Sequence, residues 1–253
     1  MPETTSAIIL MYHSISEGSG PNFLSPALFS TQMQWLKRNA HVVPLESLVE
    51  SLNCHNPLPP TTVALTFDDG FADFYSAAAP VLKQLELPSI VFFPPSLCGK
   101  KVPWIAEAKS LKLMSWHQVR DLAKQGVSFG SHSMSHNDLT GSTESELHYE
   151  TCESKRMIET ETGQEVRFFC YPYGRNSIRT RRAVSDCYSG GACSTDLHVV
   201  DSAADRFALP RIDVHYLRSP ALFQSMFTNR FLLYINARRI LRNLRSRNRP
   251  LQA

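Results

Sequence analysis

Val63-Ala64-Leu65-Thr66-Phe67-Asp68-Asp69-Gly70 is the stretch that sets the architecture. Five uncharged residues, mostly apolar and β-prone, read as a strand buried on both faces, and the two carboxylates followed by glycine mark its C-terminal end. Strands of that kind belong to parallel sheets covered by helices, which place their chemistry just beyond the carboxyl ends of the strands. By itself Asp-Asp-Gly is also ordinary turn chemistry, so its weight depends on what surrounds it.

Outward from this strand, similar short apolar runs recur at Ala7–His13, His41–Pro44, Ser89–Phe93, Val127–His132, Val166–Tyr171 and Ala208–Val214. Segments of helical period separate them. Ser25-Pro26 reads as an N-cap with proline in the first turn, and Phe29, Met33 and Leu36 follow at i, i+4, i+7. Leu45, Leu48, Val49 and Leu52 form a second stripe, while Ser115-x-x-Gln118 and Thr143-x-x-Glu146 are capping boxes opening helices that stop near Gly126 and Gly163. The pattern predicts an α/β fold, a mostly parallel sheet of about seven strands with helices outside it. Phe93–Leu113, with Pro94, Pro95, Gly99 and Pro103, lacks a period and reads as a long loop lining a groove.

A chain of 253 residues is long enough for one large domain. The net charge of +3 conceals an asymmetry: residues 214–253 carry eight arginines and neither lysine nor acid, which leaves the preceding 213 residues at −5. The expected division is a catalytic domain over residues 1–217 and a basic amphipathic helix or tail over 218–253. Six cysteines show neither Cys-x-x-Cys spacing nor the density of a disulfide scaffold, which favours a reducing compartment. The first residues lack a basic leader and a long apolar run, so the expected location is cytoplasmic or peripheral on the cytoplasmic face of a membrane.

Two further motifs carry chemistry. His132 falls at a strand end and His136 follows across the turn Ser133–Ser135, so both imidazoles can converge on one ion at roughly 2.0–2.1 Å. Asp69 completes a set of two imidazoles and a carboxylate, which leaves a fourth position for water, as in catalytic zinc sites. Ser131, Asn137 or Asp138 are candidates for bonding the outer ring nitrogens. Tyr171-Pro172-Tyr173-Gly174 again follows an apolar strand, and reads either as a bent backbone offering N–H groups to an oxyanion or as a rigid turn with two packed tyrosines.

In this order the motifs Thr66-Phe67-Asp68-Asp69-Gly70, Ser131-His132 to His136 and Pro172-Tyr173-Gly174 resemble the NodB-homology family of polysaccharide deacetylases, from about Ile8 to Val214. Met11-Tyr12-His13-Ser14-Ile15 and Leu209-Pro210-Arg211-Ile212 resemble its permuted subgroup acting on exopolysaccharides rich in N-acetylglucosamine. The resemblance implies a distorted (β/α) barrel, a divalent metal, usually zinc, and hydrolysis of N-acetyl groups from amino sugars. It makes Asp69, His132 and His136 the metal ligands, Asp68 the base, and the Tyr173 N–H an oxyanion donor, with Tyr171 and Pro172 beside the substrate. Two departures stand out. Cys170 occupies the place of an arginine that holds the base in commoner members, for which Arg211 is the candidate replacement and Arg167 the alternative. The usual Leu-x-x-His acid motif is also missing, and His13 is the candidate acid, with His215 its competitor.

The implied partner is an N-acetylated glycan. Rival readings are hydrolysis of a cyclic ureide or imide on the same barrel, and a glycan-binding or membrane-associated module without turnover. In the basic segment, Leu222, Met226, Phe227, Phe231, Tyr234, Leu241 and Leu244 alternate with arginines at roughly helical spacing. This is expected to form a helix docked on the barrel or in peripheral contact with a membrane, with no specific nucleic acid as partner.

Overall fold

The computed structural model describes residues 6–54, 56–102, 104–105 and 111–247. The leader residues before Ser6, His55, Pro103, the middle of the 93–113 loop and Arg249 lie outside it. In chain order the elements are β1 (Ser6–Tyr12), α1 (Pro26–Asn39), β2 (His41–Val42), α2 (Leu45–Asn53), β3 (Thr62–Phe67), α3 (Ala79–Gln84) and β4 (Ile90–Phe93). There follow α4 (Trp116–Lys124), β5 (Ser128–Ser131), α5 (Glu144–His148), α6 (Ser154–Thr162), β6 (Phe168–Cys170), α7 (Ile178–Cys187), β7 (Gly191–Cys193), β8 (Val200–Asp201), β9 (Ile212–Asp213), α8 (Pro220–Gln224) and α9 (Asn229–Arg247).

The helix starts obey their caps. Ser25 accepts from Leu28 N–H ahead of α1, and both capping boxes close at the heads of α4 and α5. α5 runs on through a wide turn at Tyr149–Glu153 into α6, which stops at Gly163 in left-handed backbone.

The strands lie in the order β7-β6-β5-β4-β3-β1-β8, with β2 on β3 and β9 on β1, and every pair is parallel except β1 with β8. The segment 209–213 bridges β7 at Cys193 and β1 at Leu10 and Met11, so the ring is completed by a short kinked stretch. This is the distorted barrel expected. Register aligns Tyr12 with Phe67, Phe93 with Ser131, and Cys170 with Cys193, so residues 13, 68–69, 132, 171–174 and 194–196 emerge at one end. Alternate side chains, such as Leu10 and Ile9, feed two apolar clusters, one on each face of the sheet.

Two features depart from the sequence reading. β7 and β8 are additional strands, too short for their residues to show alternation. Cys152 and Cys187 form a disulfide joining the turn before α6 to the end of α7, a pairing across 35 positions that no local spacing announces, while Cys54, Cys98, Cys170 and Cys193 are free. The basic segment docks on the barrel, one of the two arrangements expected of it: Phe223, Met226, Phe231 and Ile235 join the main core cluster, and Trp35 of α1 stacks on Phe227 at 5.8 Å.

Candidate active site

The end of β3 separates two adjacent carboxylates. Asp68 still follows the strand, its N–H donating to the Tyr12 carbonyl at 2.9 Å, whereas Asp69 and Gly70 turn into left-handed backbone with φ of 68° and 69°. A Cβ on residue 70 would lie 2.3 Å from the Phe93 ring, so the turn needs glycine. Both carboxylates are buried, and they point to different partners.

Asp69 Oδ1 lies 3.4 Å from His132 Nε2 and 3.1 Å from His136 Nε2, and the three ligand atoms cluster within 4.8 Å of one another. Atoms held about 2.0–2.1 Å from a tetrahedral centre are separated by roughly 3.3 Å, so this spacing suits a single small divalent ion. Burial would raise the Asp69 carboxyl, but hydrogen bonds from both imidazoles and the nearby positive charge hold it well below the usual carboxylate range. His132 Nδ1 lies 2.8 Å from the Cys170 carbonyl, which fixes the ring with Nε2 facing Asp69. None of the three expected outer partners has this role. Ser131 bonds Ser154, Asn137 bonds Ser135 and Glu150, and Asp138 pairs with Arg175. The residue that organises the His136 turn is Glu150, absent from the sequence reading, whose carboxylate accepts from Ser135 N–H at 3.0 Å and from the Ser135 hydroxyl at 2.5 Å.

Asp68 is clamped by Arg211. Nη1 donates to Oδ1 and Nη2 to Oδ2, each at 2.7 Å, while Nε donates to the Ser194 carbonyl at 2.9 Å and Nη1 also reaches Thr66 Oγ1 at 3.0 Å. Nη2 sits 3.0 Å from the Cys170 sulfur. The smaller side chain at 170 therefore makes room for a guanidinium arriving from the neighbouring segment. Burial would raise the Asp68 carboxyl, but the Arg211 charge and its paired hydrogen bonds, helped by His132 and His13, hold it below its ordinary value. Arg167, the alternative, faces outward and pairs with Glu46 and Glu50.

His13 follows β1 directly, at the strand end where β3 delivers Asp68 and Asp69. The competitor His215 lies beyond β9, where its N–H donates to Asp213 at 2.8 Å and burial lowers its imidazole. Of two nearby acids that sequence reading passed over, Asp73 fixes the His13 turn. Asp73 accepts from the Ser14 hydroxyl at 2.6 Å and from Ile15 N–H at 2.9 Å. Asp213, whose carboxyl burial pushes up, lies one strand away, paired in register with Met11. Asp73 had a local signal in its position three residues after Gly70; Asp213 had none.

The Tyr171-Pro172-Tyr173-Gly174 turn divides into two roles. Tyr171 is fully buried and its hydroxyl donates to the Phe207 carbonyl at 3.0 Å, and Pro172 is buried too. The expectation that the side chains of Tyr171 and Pro172 meet substrate is thus corrected: they anchor the turn in the core. Tyr173, in left-handed backbone with φ 59°, is 52% exposed and sets its ring edge-on to His136 at 4.9 Å. Trp104 from the 93–113 loop lies flat on the same imidazole at 3.8 Å, so aromatic rings flank this member of the ligand set. Among the described residues His136 Nδ1 has no hydrogen-bond partner.

Comparison with known proteins agrees with this arrangement. The chain is 28% identical to the provisionally assigned polysaccharide deacetylase YxkH of Bacillus subtilis, over 87% of this chain and 74% of that protein. It is also 28% identical to the poly-beta-1,6-N-acetyl-D-glucosamine N-deacetylase of Escherichia coli K12, over 50% of this chain and 20% of that one. Its fold matches the Streptococcus pyogenes deacetylase PplD in complex with acetate, with a TM-score of 0.72, 24% identity and coverage of 83% and 92% of the two chains. IcaB from Ammonifex degensii matches with a TM-score of 0.73, 21% identity and coverage of 88% and 96%. Residues 55–188 match the family model for polysaccharide deacetylase, and with the barrel and the strand-end carboxylates and imidazoles in place, the chain belongs to that family of carbon–nitrogen hydrolases.

Proposed function

We propose that the chain removes acetyl groups from N-acetylated amino sugars in a polymer, oligosaccharide or glycolipid precursor, using a zinc ion held by Asp69, His132 and His136. The observation that carries this reading is the division of labour between two adjacent buried carboxylates, one facing two imidazoles and the other gripped by a guanidinium. When bound, the ion would supply a Lewis acid that polarises the amide carbonyl and lowers the pKa of water toward neutrality.

The protein's own groups do the rest. Asp68, kept ionised by Arg211, accepts a proton from the attacking water as its oxygen bonds to the acetyl carbon. The Tyr173 N–H donates to the oxygen that gains charge. His13 then gives a proton to the sugar nitrogen as the carbon–nitrogen bond breaks, leaving acetate and a free amine. Tyr173 and Trp104 present aromatic faces to the sugar ring beside the reacting group. Contact with a membrane is a separate proposal, taken from the arginine-rich helix.

Acetate release from N-acetylated oligosaccharides, measured with metal content, tests the reading. Asp68→Asn should abolish release and retain metal, whereas His132→Ala should lose both. Undiminished turnover in Asp68→Asn removes the base, and ring opening of a cyclic ureide without acetate release replaces the substrate class.

A further inference from the structure

α9 is built in a way that its docking on the barrel does not explain. Its inner face buries Phe231 and Ile235, with the Tyr234 hydroxyl donating to the Tyr216 carbonyl at 3.1 Å. At about 100° per residue, Leu233, Ile240 and Leu244 fall within about 40° of one another on the opposite side of the helix. They are 71%, 59% and 52% exposed, and Leu241 beside them is 50% exposed. A helix that only covers a barrel turns polar residues outward; this one turns out a leucine and isoleucine stripe.

On the same helical wheel Arg230 lies about 60° from the centre of the stripe, Arg238 and Arg239 flank it at about 120–140°, and Arg242 points back toward the barrel. Arg230 and Arg238 are exposed and Arg239 and Arg242 partly so, and among the described residues the one ion pair they make is Arg242 with Asp196 at 3.7 Å. The helix begins beside Ser6 and Thr62 at the N-terminal ends of the strands, where Asn229 and Leu232 share a cleft with them. It finishes at the catalytic end, where Arg238 stacks over Tyr216 and Arg242 reaches Asp196.

We propose that this face rests on an anionic lipid surface, with Leu233, Ile240, Leu241 and Leu244 at the acyl boundary and Arg230, Arg238 and Arg239 reaching the headgroups, which lays the barrel side-on with its catalytic end beside the bilayer. The charge selects the occupant. A second copy of the chain docked through the same stripe would set arginine against arginine, with no acid anywhere in residues 214–253 to relieve it. A spanning arrangement is excluded for the described helices, none of which is long and apolar enough to cross a membrane. An apolar outer face with arginines on its flanks, long enough to reach back to the headgroups, is the pattern of a helix lying in the interfacial plane.

The test is co-sedimentation of the full chain with vesicles of phosphatidylcholine alone or with added phosphatidylglycerol. Binding is expected to the anionic vesicles, to weaken with salt, and to fall by at least about tenfold in the triple variant L233E/I240E/L244E. These side chains are solvent-facing, so the variant should keep its circular dichroism and its acetate release from short soluble oligosaccharides. No association with anionic vesicles at low salt overturns the proposal. So does a dimer seen by analytical ultracentrifugation that the triple variant abolishes, or retention on a soluble anionic polysaccharide with none on vesicles. Because vesicle binding is read without turnover, failure here leaves the proposed deacetylation untouched.

Discussion

Arg211 shows how one residue can move while its chemistry stays. A guanidinium buried at 0% exposure with both forks on one carboxylate supplies directional hydrogen bonds as well as charge, and lysine can imitate only the charge. Arg211→Lys is therefore expected to lose about 1.5–3 kcal/mol of transition-state stabilisation, the range of one hydrogen bond to a charged group, or roughly 10–100-fold in kcat/KM. Arg211→Met leaves Asp68 buried without a cation and should destabilise the fold by about 3–5 kcal/mol in urea titration. A fully active Arg211→Met protein would show that Asp68 needs no clamp. The clustering of Asp69, His132 and His136 was legible in the sequence, because each sits just beyond a strand within a short motif. Glu150 and Asp213 were not legible, because their partners lie across turns and strands to which no pattern of spacing points.

Elements were readable in proportion to how local their causes are. α1, α4 and α5 start where their caps and capping boxes stand, since a cap is decided by four consecutive residues. β7 escaped because Gly191-Ala192-Cys193 offers neither alternation nor branching, and it is a strand only through its partners β6 and Leu209. α9 was legible as a helix that docks on the barrel, but not in which of its residues enter the core. Phe231 is fully buried in the core cluster that α1 and β1 also feed, so its removal should be felt by the whole domain. Phe231→Ala is expected to cost about 3–5 kcal/mol in a single cooperative urea transition. An unchanged midpoint would mean that residues 218–253 do fold apart from the barrel.

At the scale of the molecule, metal binding and folding should be coupled. Asp69, His132 and His136 come from two separate loops, one after β3 and one after β5, and they converge only when β4 holds those strands in register. An unfolded chain offers no such set, so an ion that binds the folded state alone stabilises it by about 2.7 kcal/mol at a concentration one hundred times its Kd. For a chain of this size that corresponds to roughly 5–10 °C in melting temperature. Chelator should lower the melting temperature of the native protein by about this amount, and readdition of zinc should restore it. The His132→Ala protein should melt at one temperature with or without chelator. Asp68→Asn should instead keep the full shift, because both oxygens of Asp68 are held by Arg211. A chelator-insensitive native protein would separate the cluster from any ion, whereas a shift lost in Asp68→Asn would place that carboxylate among the ligands.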